Sequence, residues 1–148
     1  DLGKMYCYFS PMDKSVWLRA NRPILASEYV AVANNAMPLR PSTDDVALDT
    51  AGHDGLMSTN FAAGQEIDYQ LYLPAGSKEI TLRYCGYSNS ICEVLVDGVS
   101  QNYIDMPRNG SSTEWIVAKA PLSISEGKHT VTLKLFSGSC YLSAFEIK

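Results

Sequence analysis

Histidine is nearly missing from this chain: His53 and His129 are the only two in 148 residues. An imidazole-based acid–base relay therefore has little to draw on. No C-x-x-C pair occurs, which argues against a zinc site. There is no G-x-S-x-G elbow, no H-E-x-x-H pair and no glycine-rich phosphate loop, so the common signatures of hydrolases, metalloproteases and nucleotide enzymes are all lacking. Paired carboxylates suffice for glycoside hydrolysis. With 16 acidic residues such pairs arise without meaning, and no catalytic activity is expected. Charge is also scarce, at 19% of residues with a net value of −4, and the basic residues are scattered. A nucleic-acid partner would reward clustered Lys and Arg and is not expected. No apolar run approaches the roughly 20 residues that span a bilayer, so no membrane partner is expected either. Helical periodicity is absent throughout. The first residues, DLGKMYCYF, lack a basic segment followed by an apolar one, so the sequence is read as starting mid-chain or as a mature form.

What is present is alternation. From Gly64 to Gly98 the chain reads as three consecutive strands, because successive strand side chains point to opposite faces and one face must be dry. Ile67, Tyr69, Leu71 and Leu73 form one dry set, and Ile80, Leu82 and Tyr84 the next. Ile91 to Val96 is apolar at nearly every position except Glu93, which suits a strand covered on both sides. Pro74-Ala75-Gly76-Ser77 separates the first pair, and Asp97-Gly98 is a hairpin dipeptide.

Outside this run, Met5 to Leu18 is aromatic-rich and is read as an added strand or the tail of a preceding domain. ILASEYVAV, from Ile24, is read as the first strand of the domain proper. Asn34 to Asp54 is weakly patterned and carries Asp44, Asp45, Asp49, His53 and Asp54, which is read as an acidic surface or a functional loop. Gln101 to Asn109 is read as irregular. EWIVAKAPLSI is a strand with Trp115 and Val117 on one face. Glu126-Gly127-Lys128 turns into HTVTLKLF, in which Val131, Leu133 and Leu135 are dry; YLSAFEIK closes the chain. His129 is most simply a turn residue. Short strands at regular spacing predict an all-β fold, an antiparallel β-sandwich of jelly-roll type. The boundaries are 1–22 for an N-terminal extension or linker packing on the domain and 23–148 for the sandwich.

Four cysteines, Cys7, Cys85, Cys92 and Cys140, stand either as buried thiols or as bridges. Cys85 closes one strand and Cys92 opens the next across a short hairpin-like connection, so a Cys85–Cys92 disulfide is predicted, leaving Cys7 and Cys140 to tie the chain ends.

Taken together, ILASEYVAV, GLMSTNFAAGQEIDYQLYLPAGSKEITLRYCGY, VLVDG, NGSSTEWIVAKAPLSISEGKHTVTLKLF and YLSAFEIK resemble family 6 and family 35 carbohydrate-binding modules. The resemblance spans about Pro23 to Lys148 and implies a galactose-binding-like jelly roll that binds polysaccharide without catalysis. It further implies an extracellular setting, secreted or on a cell surface, and an attached glycoside hydrolase or related enzyme as partner.

The relatives hold sugar on loop-end rings. Here Asn60, with Phe61 beside it, stands at the first ring position, Ser112 at the second, and Tyr141 where an asparagine opens the last strand. Phe61 or Tyr141 is then the substitute platform for a sugar's C–H face. Asn60, Arg108 and Asn109 supply hydrogen bonds, and Tyr87 lies in the adjoining loop. The relatives' structural calcium finds one candidate carboxylate here, Glu28. Two other readings use the same sandwich: a structural or adhesion domain with no sugar site, and an accessory domain completing a neighbouring catalytic domain.

Overall fold

The computed structural model describes residues 11–34, 37–41, 56–59 and 61–148. Cys7, Asn60 and the acidic residues Asp44, Asp45, Asp49 and Asp54, with His53, lie outside the described residues.

Two sheets face each other, and the described residues contain no helix. One sheet runs β1 (Leu18–Arg19), β7 (Glu66–Leu73), β12 (Gly127–Ser137), β9 (Ser90–Val96) and β10 (Val99–Met106), with β3 (Ala31–Ala33) also on β7. The other runs β11 (Ser111–Ile124), β8 (Ser77–Gly86), β13 (Ser139–Ile147) and β2 (Ile24–Leu25), with β6 (Phe61–Ala62) also on β13. β4 (Met37–Pro41) and β5 (Leu56–Thr59) pair separately. Every pairing is antiparallel except β1 with β7. This is the predicted β-sandwich.

Alternation sets the core. Ile67, Tyr69, Leu71 and Leu73, with Val131, Leu133 and Leu135, face Ile80, Leu82 and Tyr84 across the sandwich, and all ten are buried. Tyr69 and Phe145 meet edge to face between the sheets, with centroids 4.8 Å apart. Burying a phenol requires a partner for its hydroxyl, and Tyr69 donates to the Ala26 carbonyl at 3.0 Å. Asp97 and Gly98, at φ 52° and 82°, make the β9–β10 hairpin the sequence calls for.

Four expectations change. ILASEYVAV is two strands, β2 and β3, in opposite sheets; between them Glu28 N–H donates to the Leu25 carbonyl while the Glu28 carboxylate accepts Leu25 N–H. Gln101 to Asn109 is irregular only from Pro107 on, because Val99–Met106 is an edge strand whose pattern is broken by a bulge between Ser100 and Asn102. Part of the Asn34 to Asp54 stretch is strand, Met37–Pro41. The Cys85–Cys92 disulfide does not form: Cys85, Cys92 and Cys140 are all thiols. The physical reason is topological. β8 and β9 belong to opposite sheets, so the connection between them crosses the sandwich, and Cys85 and Cys92 stand on strands of different sheets rather than on the two arms of one hairpin.

The segment before Pro23 joins the sandwich. Leu18 and Arg19 pair with Leu71 and Tyr72, and Ala20 is buried in the core.

Candidate functional site

The β8–β9, β10–β11 and β12–β13 connections are laced together by short side chains. Asn89 Oδ1 accepts Arg108 N–H at 3.1 Å. Asn109 Oδ1 accepts Gly86 N–H at 3.0 Å while its amide donates to the Glu114 carbonyl at 2.7 Å. Tyr84 reaches the Pro107 carbonyl at 2.7 Å, and burial pushes its hydroxyl up to about 12. Ser90 Oγ donates to the Ser139 carbonyl at 3.1 Å.

The sequence-derived residues distribute unevenly on this frame. Tyr87, Arg108, Asn109 and Ser112 come together: Tyr87 is 57% exposed, and its hydroxyl donates to Ser112 Oγ at 3.2 Å. Arg108 has an exposed side chain on a backbone anchored to Asn89. Asn109 has both amide atoms engaged with backbone groups, so it holds the loops. Phe61 is 2% exposed and belongs to the core, opposite Cys140, so as an exposed platform it is a correction. Its β6 position turns the ring inward, where burial stabilises more than solvent contact. Tyr141 is partly buried on β13, opposite Cys85.

Glu28 does not fit a cation. Arg22 presents its guanidinium fork to both carboxylate oxygens at 2.7 Å, and Leu25 N–H adds a bond at 3.0 Å. Burial pushes the Glu28 carboxyl up, but Arg22 and the Leu25 N–H outweigh it and hold the group below its usual value. Both Glu28 oxygens are engaged by the guanidinium, and no cluster of three metal-binding side chains occurs among the described residues.

His129 lies 2.6 Å from Asp97 Oδ2 through Nδ1, and its Nε2 is 3.4 Å from Ser125 Oγ. The residue types match a nucleophilic triad, but the geometry does not. Nε2 sits nearer the Ser125 carbonyl, at 2.9 Å, an acceptor that demands an N–H rather than a lone pair. The ring is a brace between two turns.

The largest exposed rings of the six-stranded sheet are ones the sequence reading missed. Tyr103 on β10 is 50% exposed and Phe136 on β12 is 59% exposed. They meet edge to face across β9, centroids 5.6 Å apart. With Ile91 they border an open groove of about 420 Å³, rimmed by Asn102, Asp105 and Lys119. Tyr103 donates to Glu93 Oε2 at 3.1 Å, which fixes the ring. The signal for Phe136 was present, because the alternation that turns Leu133 and Leu135 inward turns Phe136 out.

Among solved structures the same architecture recurs. The chain has the fold of a family 6 carbohydrate-binding module. One such module, from Clostridium stercorarium and solved with cellobiose, superposes with a TM-score of 0.73 at 17% identity over 90% of this chain and 97% of that one. A β-1,3-glucan-binding module from Bacillus halodurans gives 0.73 at 16% identity over 90% and 99%. A family 43 arabinoxylan arabinofuranohydrolase from Bacillus subtilis gives 0.73 at 14% identity over 90% of this chain and 28% of the enzyme. No family model matches the sequence, and no curated protein does. At these identities the likeness is one of fold.

Proposed function

We propose that this chain is a non-catalytic carbohydrate-binding module of the family 6 or family 35 kind. The observation that carries the reading is the Tyr103–Phe136 pair on the outer face of the six-stranded sheet. Two large rings held in contact and half or more exposed are an apolar surface that a soluble domain does not keep without use. A pyranose packs its C–H face on such rings, and Asp105, Asn102 and Lys119 stand at the rim to meet its hydroxyls. The solved relatives bind cellobiose, β-1,3-glucan and xylose, which makes neutral β-linked glucan and xylan the ligands of choice. In this reading the module is extracellular and holds an attached glycoside hydrolase or related enzyme on its polysaccharide.

A second position is favoured by the exposed Tyr87 ring tethered to Ser112, with Arg108 nearby and Tyr141 on the adjoining strand. Burial of Phe61 and the engagement of Asn109 make that loop-end site poorer in rings than the sheet face. Affinity electrophoresis in gels containing mixed-linkage β-glucan or xylan tests both positions. Phe136→Ala and Tyr103→Ala are expected to abolish retardation, with Tyr87→Ala close to the parent. Retardation lost only in Tyr87→Ala moves the site to the loops. No retardation of the parent in any glycan gel leaves a structural sandwich as the reading.

A further inference from the structure

The N-terminal segment builds a feature at the far end of the same sheet face, away from Tyr103 and Phe136. β1 adds to β7 in parallel, bringing Arg19 opposite Tyr72, and β12 brings Lys128 opposite Tyr72 from the other side. Arg19, Tyr72 and Lys128 thus form one row across three strands. The Arg19 guanidinium lies over the Tyr72 ring, 5.6 Å from its centroid. Lys128 Nζ lies 5.6 Å from the centroid of the Trp17 ring. Next to the row is a cavity of about 170 Å³ walled by Arg19, Asn21, Tyr72, Pro74 and Glu126.

Cations held on ring faces lose little rotamer freedom on binding a ligand, so their charge is already aimed. Neither Arg19 nor Lys128 has a carboxylate partner among the described residues. In the wall Arg19 stands with one acid, Glu126, and Lys128, in the adjoining row opposite Tyr72, adds a second cation, so row and wall together carry two cations and one carboxylate although the chain carries −4. A surplus cation pair beside an amide and an apolar wall suits a ligand with an anionic group on a ring that also carries hydroxyls.

We infer that Arg19, Lys128 and Tyr72 form an anion subsite for an acidic glycan, one bearing a carboxylate or sulfate. The polymer's being a glycan rests on the carbohydrate-binding reading above; the anion site is testable apart from it. The eight steps along β12 from Lys128 to Phe136 span about 26 Å at the usual strand rise. A single chain lying on this face reaches both ends, with Gln70, Thr130, Asp68 and Thr132 between them in register. The N-terminal segment then adds a cation at one end of a face that carries Asp68 midway along it.

The experiment is affinity electrophoresis and calorimetry at low ionic strength with four polymers: polygalacturonate, its fully methyl-esterified form, dextran sulfate and neutral β-glucan. The parent, Arg19→Gln, Lys128→Gln and the double variant are compared, with melting curves confirming that each is folded. The parent is expected to bind polygalacturonate or dextran sulfate more tightly than the esterified polymer, and the double variant to lose about tenfold on the acidic polymer alone. Preference between carboxylate and sulfate assigns the group. Equal binding of acidic and esterified forms, or an unchanged double variant, overturns the anion site. Acidic binding without β-glucan binding supports the anion site and refutes the neutral platform; β-glucan binding without an acidic preference does the reverse. Absence of binding to all four refutes both.

Discussion

Asp97 Oδ2 and His129 Nδ1 lie 2.6 Å apart although 32 residues separate them in the chain. Asp97 occupies the left-handed position of the β9–β10 turn, and its other oxygen accepts Thr130 N–H at 2.9 Å. His129 Nε2 reaches the Ser125 carbonyl in the β11–β12 turn. Each ring nitrogen faces an oxygen of a different turn, so the imidazole fastens two turns at one pole of the sandwich.

Burial raises the Asp97 carboxyl, but the hydrogen bonds from His129 and Thr130 exceed that effect and hold it below its usual value. A carboxyl depressed in the folded state contributes stability that is present above its unfolded pKa, near 3.9, and lost as pH falls through the lower folded value. Asp97→Asn keeps a residue that tolerates positive φ, so it removes charge rather than turn geometry. Because the side chain is half exposed, the expected loss at pH 7 is small, about 0.5 kcal/mol, or about 1–2 °C in Tm. Melting curves should show the gap between parent and variant closing below about pH 4. A gap that stays constant to strong acid would count against the brace.

Cys85, Cys92 and Cys140 are buried in the folded protein. Burial pushes the Cys140 thiol up to about 12, and it raises Cys92 as well. Since the thiolate is the reactive form, Cys85, Cys92 and Cys140 are expected to resist an aromatic disulfide reagent at pH 8 and to label fully after denaturation. Non-reducing peptide mapping should find no Cys85–Cys92 linkage. A linked peptide would overturn the topological argument.

Gly138, between β12 and β13, has φ 80° and packs directly on the β8–β9 loop. A Cβ there would collide with the Asn89 carbonyl and sit 2.9 Å from Ser90 Cα. Gly138→Ala therefore combines backbone strain with a clash against main chain that cannot swing away. Destabilisation of about 2 kcal/mol or more is expected. Gly76→Ala, at φ 78° with open space around it, isolates the strain alone and should cost less. Equal losses in urea titrations would show that the clash is relieved at no cost.

The strands of the core were legible because their period of two is enforced by burial on one face. Leu71, Leu82 and Leu133 needed no other information. The Cys85–Cys92 bridge was misread because nearness in sequence does not say whether a connection stays in one sheet or crosses to the other, and here β13 and β12 intervene as the strands' partners. ILASEYVAV hid its break because the turn at Glu28 is made by a side-chain carboxylate and not by glycine or proline. Tyr103 was lost in a strand whose bulge breaks the alternation. The cation–aromatic row at Arg19, Tyr72 and Lys128 exists only through pairing of residues more than fifty positions apart, which no local pattern records.

Arg22 and Glu28 decide whether calcium has a place in this fold. The fork places two N–H groups on two carboxylate oxygens, and Glu28 is the better buried partner, with 17% of its side chain exposed against 45% for Arg22. Removing the charge with Glu28→Gln leaves Arg22 with a weaker acceptor and loosens the Leu25 turn between β2 and β3, for an expected cost of about 1–2 kcal/mol. A bound ion would instead raise Tm with concentration, since a ligand that prefers the folded state stabilises it by mass action. The parent and Glu28→Gln are therefore expected to respond identically to millimolar calcium and to a chelator, while differing in Tm under both. A calcium-dependent gain in the parent that the variant lacks would show that the carboxylate leaves Arg22 for the ion, and the fork would then be the resting state of a cation site.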